Sequence, residues 1–242
     1  MKLSGKVALV TGAGGGIGKA ISMSLAKEGA LVVLFGGNNI EKLSDTALEI
    51  KNLGGRCLVI AGDLTDDKVL EENFKSLENQ VTGIDILINN AGMATSTPFD
   101  KVTPELYDKI MKINARVPFF LTQKALPYLK KSSSASVINI ASVVSHAGYP
   151  LQSAYVASKH ALLGFTKSFA SEVYNDGIRV HAISPGGVYT DMVKVSRPDL
   201  TADGMIMPQD IADVVMFLVL NRTNAVIDEI MVHRVNKTPF LI

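Results

Sequence analysis

The stretch Val7-Ala-Leu-Val-Thr-Gly-Ala-Gly-Gly-Gly-Ile-Gly18 decides the fold of this chain. Its first half is a short apolar run typical of a buried strand, and its second half is a glycine cluster that leads into a helical pattern. Glycines at such a turn let the backbone bend sharply and approach a pyrophosphate, whose charge is favoured by the helix N-terminus. The stretch therefore predicts a strand, a dinucleotide-binding loop and a helix, in that order.

The same alternation of short apolar runs and longer amphipathic segments continues along the chain. This pattern is typical of a parallel sheet covered by helices on both faces. We predict an α/β fold, a Rossmann-type doubly wound parallel sheet of seven strands, in a single domain over residues 1–242. The predicted strands are 6–11, 31–35, 56–61, 84–89, 136–140, 179–184 and 227–232, and the predicted helices are 16–27, 40–52, 66–80, 103–130, 154–174 and 208–220.

Composition excludes several classes of function. Charged residues make up 19% of the 242 residues, the net charge is +1, and neither sign is concentrated, so we expect no nucleic-acid or membrane partner. The first apolar run is too short for a signal peptide or a membrane span, which favours a cytoplasmic protein. Cys57 is the only cysteine, so we expect no internal disulfide and no cysteine-based metal cluster, and we predict no metal site.

A second stretch, from Ser142 to Lys159, contains the residues best suited to chemistry. Tyr155 and Lys159 lie four residues apart in a predicted helix and therefore project from one face, one turn apart. An ammonium beside a phenol stabilises the phenolate and lowers a pKa that is ordinarily about 10. The pair alone is weak, because this spacing also arises by chance on ordinary solvated helix faces.

Several motifs in a fixed order make the assignment more specific. They are Thr11-Gly12-x3-Gly16-Ile17-Gly18, Asn89-Asn90-Ala91-Gly92, Ser142, Tyr155-x3-Lys159 and Ser184-Pro185-Gly186. Their order and mutual spacing resemble the short-chain dehydrogenase/reductase family over nearly the whole chain. The resemblance implies an enzyme that acts on CH-OH groups, by NAD(P)-dependent alcohol oxidation or carbonyl reduction of a small molecule.

The resemblance implies roles for four catalytic residues. Tyr155 would be the general acid-base group, and Lys159 would lower its pKa and hold the nicotinamide ribose. Ser142 would hydrogen-bond the substrate oxygen, and Asn114 would hold a water that relays protons towards Lys159. Pro118 is predicted to bend or interrupt the helix 103–130 just after Asn114.

The resemblance also implies the cofactor contacts. Asp63 matches the position that faces the adenine ring, although a turn or helix-capping carboxylate is an open alternative. Val188 and Thr190 would contact the carboxamide, and residues 191–207 would form a substrate lid. The full predicted set is Gly12, Gly14, Gly16, Ile17, Gly18, Asp63, Leu64, Asn90, Ala91, Gly92, Tyr155, Lys159, Pro185, Gly186, Val188 and Thr190.

The determinants of cofactor choice depart from the family pattern. An NAD enzyme usually carries a carboxylate near the end of the second strand, and an NADP enzyme an arginine. Residues 35–39 read Phe-Gly-Gly-Asn-Asn and contain neither, and the glycine loop has no basic residue at Gly14 or Gly15. Lys42 or Asn38 could still bind a 2'-phosphate. The cofactor is therefore NAD or NADP, with NAD slightly favoured.

The end of the chain and the loop after Ser142 leave further alternatives. No glycine pair follows the last strand, so the tail could cover a neighbouring subunit or cap the core. The family's long helices predict a homodimer or homotetramer. His146, with Tyr149, Leu151 and Tyr189, either shapes the substrate pocket or is solvated. The other three histidines, His160, His181 and His233, are interpreted as structural.

Two competing functions remain open. One is a 3-oxoacyl-thioester reductase acting on a carrier-protein or CoA substrate; Lys130 and Lys131 would suit docking of an acidic carrier, whereas Asp176 would not. The other is a non-catalytic dinucleotide-binding sensor, which the fold alone would allow. A sensor does not need an acid-base phenol, so the presence of Tyr155 favours the enzyme.

Overall fold

A seven-stranded parallel sheet forms the centre of the computed structural model, which describes residues 1–37, 39–196 and 201–238. The strand order β3-β2-β1-β4-β5-β6-β7 confirms the predicted fold class. Connections run in opposite directions from the β1/β4 pair, which places a crevice at the carboxyl ends of these two strands. The strands are β1 Val7–Thr11, β2 Leu31–Phe35, β3 Arg56–Ile60, β4 Ile86–Asn89, β5 Ser136–Ile140, β6 Arg179–Pro185 and β7 Glu229–Val232.

Helices cover both faces of the sheet because the strands are apolar on both sides. Ala8 and Val10 of β1 pack into one apolar layer, and Leu9 between them packs into the other. Among the described residues, no helix is both long enough and apolar enough to cross a membrane. The α-helices are α1 Gly16–Lys27, α2 Ile40–Asn52, α3 Asp67–Glu78, α4 Pro104–Met111, α5 Val117–Leu129, α6 Ser153–Val173, α7 Asp191–Ser196 and α8 Pro208–Leu220.

The predicted helix 103–130 is divided into three parts. A π-helical turn, Lys112–Arg116, separates α4 from α5, so the predicted interruption is confirmed. Its predicted position was wrong, because the turn contains Asn114 instead of following it. Pro118 has no N–H to offer the carbonyl of Asn114, four residues earlier, which explains why the α-helical pattern fails there.

Smaller differences concern element ends and the lid. The strands predicted at 84–89 and 227–232 begin two residues later, at Ile86 and Glu229. Helix α7 lies within the predicted lid and was not itself predicted, and residues 197–200 of the lid lie outside the described residues. The tail folds back on its own chain: a Cβ at Gly204 would lie 2.5 Å from Asn236 Nδ2. Its last residues, 239–242, lie outside the described residues.

Candidate active site

The glycine loop between β1 and α1 fits a pyrophosphate. A Cβ at Gly18 would lie 2.2 Å from the carbonyl oxygen of Gly12, so only glycine lets the helix approach the strand this closely. Gly12 itself has φ +65° and lies against Ala91. Apart from Gly15 and its chain neighbours, no atom of the described residues lies within 4 Å of a Cβ built at Gly15, and the first turn of α1 contains no acidic residue. The amide groups at this helix start are therefore available to an anion.

Hydrogen bonds from Thr11 join the ends of β1 and β4. Its Oγ1 accepts from the main-chain N–H groups of Asn90 and Ala91, at 2.9 Å each, and donates to the carbonyl of Ile88 at 3.2 Å. Asn90 Nδ2 donates to the carbonyl of Thr11 at 2.9 Å. These bonds bring Asn90, Ala91 and Gly92 to the edge of the glycine loop. Thr11 is the first residue of the glycine motif, but the sequence analysis assigned it no role.

Tyr155 and Lys159 come together at the start of α6. Lys159 is 6% exposed, and its ammonium lies 5.9 Å from the ring centre of Tyr155. Lys159 Nζ donates to the carbonyl of Ile140 at 2.7 Å, and burial lowers the pKa of Lys159 to about 8. Burial raises the pKa of Tyr155, and a hydrogen bond with Ser142 partly offsets this. The expected lowering of the phenol pKa by Lys159 is therefore not evident in this arrangement, where Ile140 holds the ammonium.

Ser142 lies at the start of a 3-10 turn, Val143–Ser145, that follows β5. Its Oγ accepts from the N–H of Val144 at 3.3 Å and donates weakly to the carbonyl of Pro185 at 3.4 Å. Together with its effect on the phenol pKa, this places the hydroxyl between Tyr155 and the end of β6. The structure thus brings Ser142 and Tyr155 together as the motifs predict.

Asn114 is fully buried in the π-helical turn. Its Oδ1 accepts from Met93 N and its Nδ2 donates to Met93 O, both at 2.8 Å, and Nδ2 also donates to Ser158 Oγ at 2.9 Å. Ser158 in turn donates to the carbonyl of Tyr155 at 2.7 Å. The side chain of Asn114 thus links the π-helical turn to the loop after β4 and to α6. Sequence reasoning missed Met93 and Ser158, which are 21 and 44 positions from Asn114, because no local sequence pattern marks these contacts.

The backbone that follows β2, where the sequence analysis predicts the adenosine, is unusual. Gly36 has φ +82°, and a Cβ there would lie 2.5 Å from the side chain of Leu64. Leu64 is 4% exposed, so its side chain packs under Gly36. Asp63 Oδ1 accepts from the N–H and the hydroxyl of Thr65, at 2.9 and 2.8 Å, so this oxygen serves a turn. The role of Asp63 at the adenine stays a prediction, and Asn38 lies outside the described residues.

The segment after β6 lies against the glycine loop. The methyl carbon of Thr190 lies 3.1 Å from the position that a Cβ would take at Gly16. Val188 is buried and forms a parallel bridge with Ile206, and Gly186 N donates to Val232 O at 2.8 Å. The remaining predicted contacts lie at the same edge of the sheet: Pro185 ends β6, Ile17 packs partly buried in α1, and Gly14 lies beside Lys42.

His146 has a partner that neither sequence alternative included. Its Nε2 lies 2.6 Å from Glu229 Oε1, and its side chain is 24% exposed. Tyr149 and Leu151, on the same loop, are exposed, and Leu151 has φ +64°. His160 is exposed on α6 and bonds the carbonyl one turn before it, as expected of a structural residue.

Comparison with known proteins gives a consistent result. Residues 6–201 match the family model described as short chain dehydrogenase. The chain is 36% identical to general stress protein 39 of Bacillus subtilis over 201 residues, which cover 83% of this chain and 70% of that protein. It is 33% identical to the 3-oxoacyl-[acyl-carrier-protein] reductase FabG of Thermotoga maritima over 241 residues, which cover 96% and 97%.

Solved structures resemble the whole fold. A metagenomic short-chain oxidoreductase in complex with NADP superposes with a TM-score of 0.85 at 31% identity, covering 98% of this chain and all of the other. The angucycline C-6 ketoreductase LanV with bound NADP superposes with a TM-score of 0.87 at 30% identity, covering 96% and 95%.

Proposed function

The chain belongs to the short chain dehydrogenase family and is an NAD(P)-dependent oxidoreductase, and from that premise we propose that Tyr155 is its acid-base group. The reaction interconverts a carbonyl and an alcohol. A nicotinamide dinucleotide, when bound, supplies or accepts the hydride. In the reduction, the carbonyl oxygen takes the phenol proton of Tyr155 and the product is the alcohol. The observation that supports this assignment is the buried Lys159 ammonium, 5.9 Å from the centre of the Tyr155 ring.

Lys159 and Ser142 both assist this proton transfer, Lys159 at the proton donor and Ser142 at the substrate oxygen. The charged Lys159 stabilises the phenolate that remains when Tyr155 has given up its proton. The hydrogen bond from Ser142 to the carbonyl of Pro185 is long, at 3.4 Å. When substrate binds, the hydroxyl turns away from this carbonyl and donates to the substrate oxygen instead. Because that contact is weak, the reorientation costs little.

Asn114 contributes through its main chain. Its side chain already serves Met93 and Ser158, so the predicted water would bind at the main-chain carbonyl, to which Pro118 offers no N–H. Protons could then pass from solvent towards Lys159 and replace the one lost by Tyr155. This assigns the water-binding role of Asn114 to its carbonyl oxygen.

We propose that the chain accepts both NAD(H) and NADP(H), with the slight expectation of NAD still a prediction. A carboxylate that would repel a 2'-phosphate cannot replace Gly36, because Leu64 occupies the space that its Cβ would need. Lys42, in the first turn of α2, lies beside Gly14 of the glycine loop, and its Nζ lies 3.5 Å from Asp191 Oδ2 of α7. Both side chains are more than half exposed, so this ion pair is weak and Lys42 can be recruited by a phosphate.

The 3-oxoacyl-thioester reductase is the second candidate, favoured by the similarity to the Thermotoga maritima reductase. Lys130, which would meet an acidic carrier, already pairs with Asp176 at 2.9 Å, and Lys131 lies over the ring of Tyr128. These contacts reduce the charge offered to an acidic carrier protein. A CoA thioester or an unrelated ketone is therefore the preferred substrate class, and the sensor is not favoured.

We also propose that the chain is a homo-oligomer that packs through α5 and α6. Phe119 and Phe120 are 45% and 37% exposed, and the ring of Phe119 packs at a tilt against that of Phe165 across the two helices, with 5.0 Å between the ring centres. Apolar rings on a surface of this kind are typical of an interface. Light scattering coupled to gel filtration would give the mass, and a monomer at micromolar concentration would contradict the proposal.

The test of function is consumption of NADH or NADPH against ketones, aldehydes and a 3-oxoacyl thioester, first as the CoA and then as the carrier-protein form. Tyr155→Phe is expected to remove the activity, because the ring is kept and the proton is lost. Tyr174→Phe, at the exposed end of the same helix, is the matched control and is expected to retain it. Activity that survives Tyr155→Phe would contradict the proposed mechanism.

A further inference from the structure

Three polar side chains form a cluster beside the loop that carries Ser142. Glu229 is the first residue of β7, and its Oε1 accepts from Ser184 Oγ at 2.5 Å and lies 2.6 Å from His146 Nε2. Ser184 is fully buried, and the side chains of His146 and Glu229 are 24% and 21% exposed. Because a carboxylate only accepts hydrogen bonds, Nε2 of His146 carries the proton in this contact.

The cluster lies at the far end of the 3-10 turn Val143–Ser145, in the first part of the loop that follows β5. Ser142 precedes this turn and contacts the carbonyl of Pro185, at the end of β6. The 3-10 turn Val143–Ser145 then crosses the end of β6, and His146 meets Glu229 on β7, the next strand of the sheet. The turn is therefore held at both ends, and the shorter contact by far is the one made by His146.

We propose that His146 and Glu229 are positioning residues for Ser142, an inference that rests on the proposed function. A single 3-10 turn has poor internal hydrogen bonding and holds its geometry weakly. The hydroxyl of Ser142 accepts from Val144 within that turn, so its direction follows the position of the turn. A displacement of about 1 Å at a catalytic group lowers a rate by about 100-fold. The contact between His146 and Glu229 prevents such a displacement.

The order of contacts excludes a hydrolytic role for the cluster. In a Ser-His-acid triad the serine bonds the imidazole, which bonds the carboxylate. Here Ser184 donates to the carboxylate instead, and its hydroxyl is fully buried. Ser184 therefore fixes the carboxylate of Glu229, which in turn fixes the imidazole of His146.

The experiment compares His146→Leu with His146→Gln in the reductase assay. The amide nitrogen of glutamine reaches about as far as Nε2 of histidine, so we expect His146→Gln to keep kcat within about threefold of the parent. His146→Leu loses the donor, and we expect kcat to fall by about 10- to 100-fold. The dissociation constant of the cofactor, measured by fluorescence, is expected to change less than about twofold, because His146 contacts β7, whereas the glycine loop follows β1. His160→Leu, exposed on α6, is the matched control.

A second pair of variants tests the partner. Glu229→Ala is expected to lower kcat as His146→Leu does, and the double variant to be no worse than the poorer single one, because both remove one contact. If Glu229→Ala does not fold, the His146 series decides alone. An unchanged kcat in His146→Leu, an equal loss in His146→Gln, or a parallel loss of cofactor binding would each overturn the positioning role. Activity lost in Tyr155→Phe but kept in His146→Leu would leave the proposed function intact.

Discussion

Lys159 donates a 2.7 Å hydrogen bond to the main-chain carbonyl of Ile140, the last residue of β5. The carbonyl that ends β5 thus holds the buried ammonium, which lies 5.9 Å from the centre of the Tyr155 ring. This arrangement keeps a positive charge beside the phenol that we propose as the acid-base group, at a cost in stability, because burial destabilises the charged form of Lys159.

The first prediction concerns that cost. The pKa of Lys159 is lowered from 10.5 to about 8, so the folded chain gives up the proton more readily than the unfolded one. The free energy of unfolding of the parent is therefore highest above about pH 10.5, and it falls by about 3 kcal/mol as the pH falls to about 8. Lys159→Met lacks this titration, so its stability relative to the parent is expected to fall by that amount as the pH rises from 8 to 10.5.

Urea unfolding at several pH values measures this difference. Lys167→Met, exposed on the same helix, is the control and is expected to run parallel to the parent. Lys159→Met is also expected to lose reductase activity. A difference between Lys159→Met and the parent that does not vary with pH would show that the ammonium is not strained by burial.

The second prediction concerns the π-helical turn. Pro118→Ala supplies an N–H that can bond the carbonyl of Asn114 and turn the segment into regular α-helix. If that carbonyl holds the relay water, kcat is expected to fall at least about 10-fold, while stability is unchanged or slightly raised. Pro127→Ala, inside the same helix α5, is the control and is expected to keep kcat. Full activity in Pro118→Ala would contradict the role of the carbonyl.

Local sequence patterns predicted the fold, but they did not predict the contacts between side chains that are distant in the sequence. Helices α1, α2 and α8 end where predicted because their glycines, caps and apolar spacing are local features. The pairing of His146 with Glu229 joins residues 83 positions apart, and no local pattern marks it. The hydrogen bonds between Asn114 and Met93 were not predicted for the same reason. The motifs indicated the predicted catalytic residues but not the side chains that hold those residues in place.

The third prediction concerns the end of β2. Gly36→Ala places a Cβ 2.5 Å from Leu64 in a left-handed backbone, so we expect a loss of more than about 3 kcal/mol of stability. Gly37 has φ +96° but its Cβ would lie 4.0 Å from the nearest atom, so Gly37→Ala is expected to cost only about 1 kcal/mol. Leu64→Ala is expected to relieve the clash, giving less than additive losses with Gly36→Ala in a double-mutant cycle. Additive losses would contradict this steric account.

The last prediction concerns His181, which is 2% exposed in the middle of β6. Its Nδ1 donates to the carbonyl of Ile227 at 2.6 Å, and its Nε2 has no partner among the described residues. Burial lowers the pKa of His181, so the unfolded chain takes up the proton first as the pH falls through about 6.5. Stability is therefore expected to fall by up to about 1.4 kcal/mol per pH unit below that point.

His181→Asn keeps a donor for Ile227 and removes the titration. Its stability relative to the parent is expected to rise as the pH falls below about 6.5, because the parent must then either hold a charge among apolar side chains or unfold. His160→Asn, exposed on α6, is the control and is expected to show no such change. Parallel curves for His181→Asn and the parent between pH 7 and 5 would mean that the imidazole is protonated without cost, and that its Nε2 finds a partner in solution.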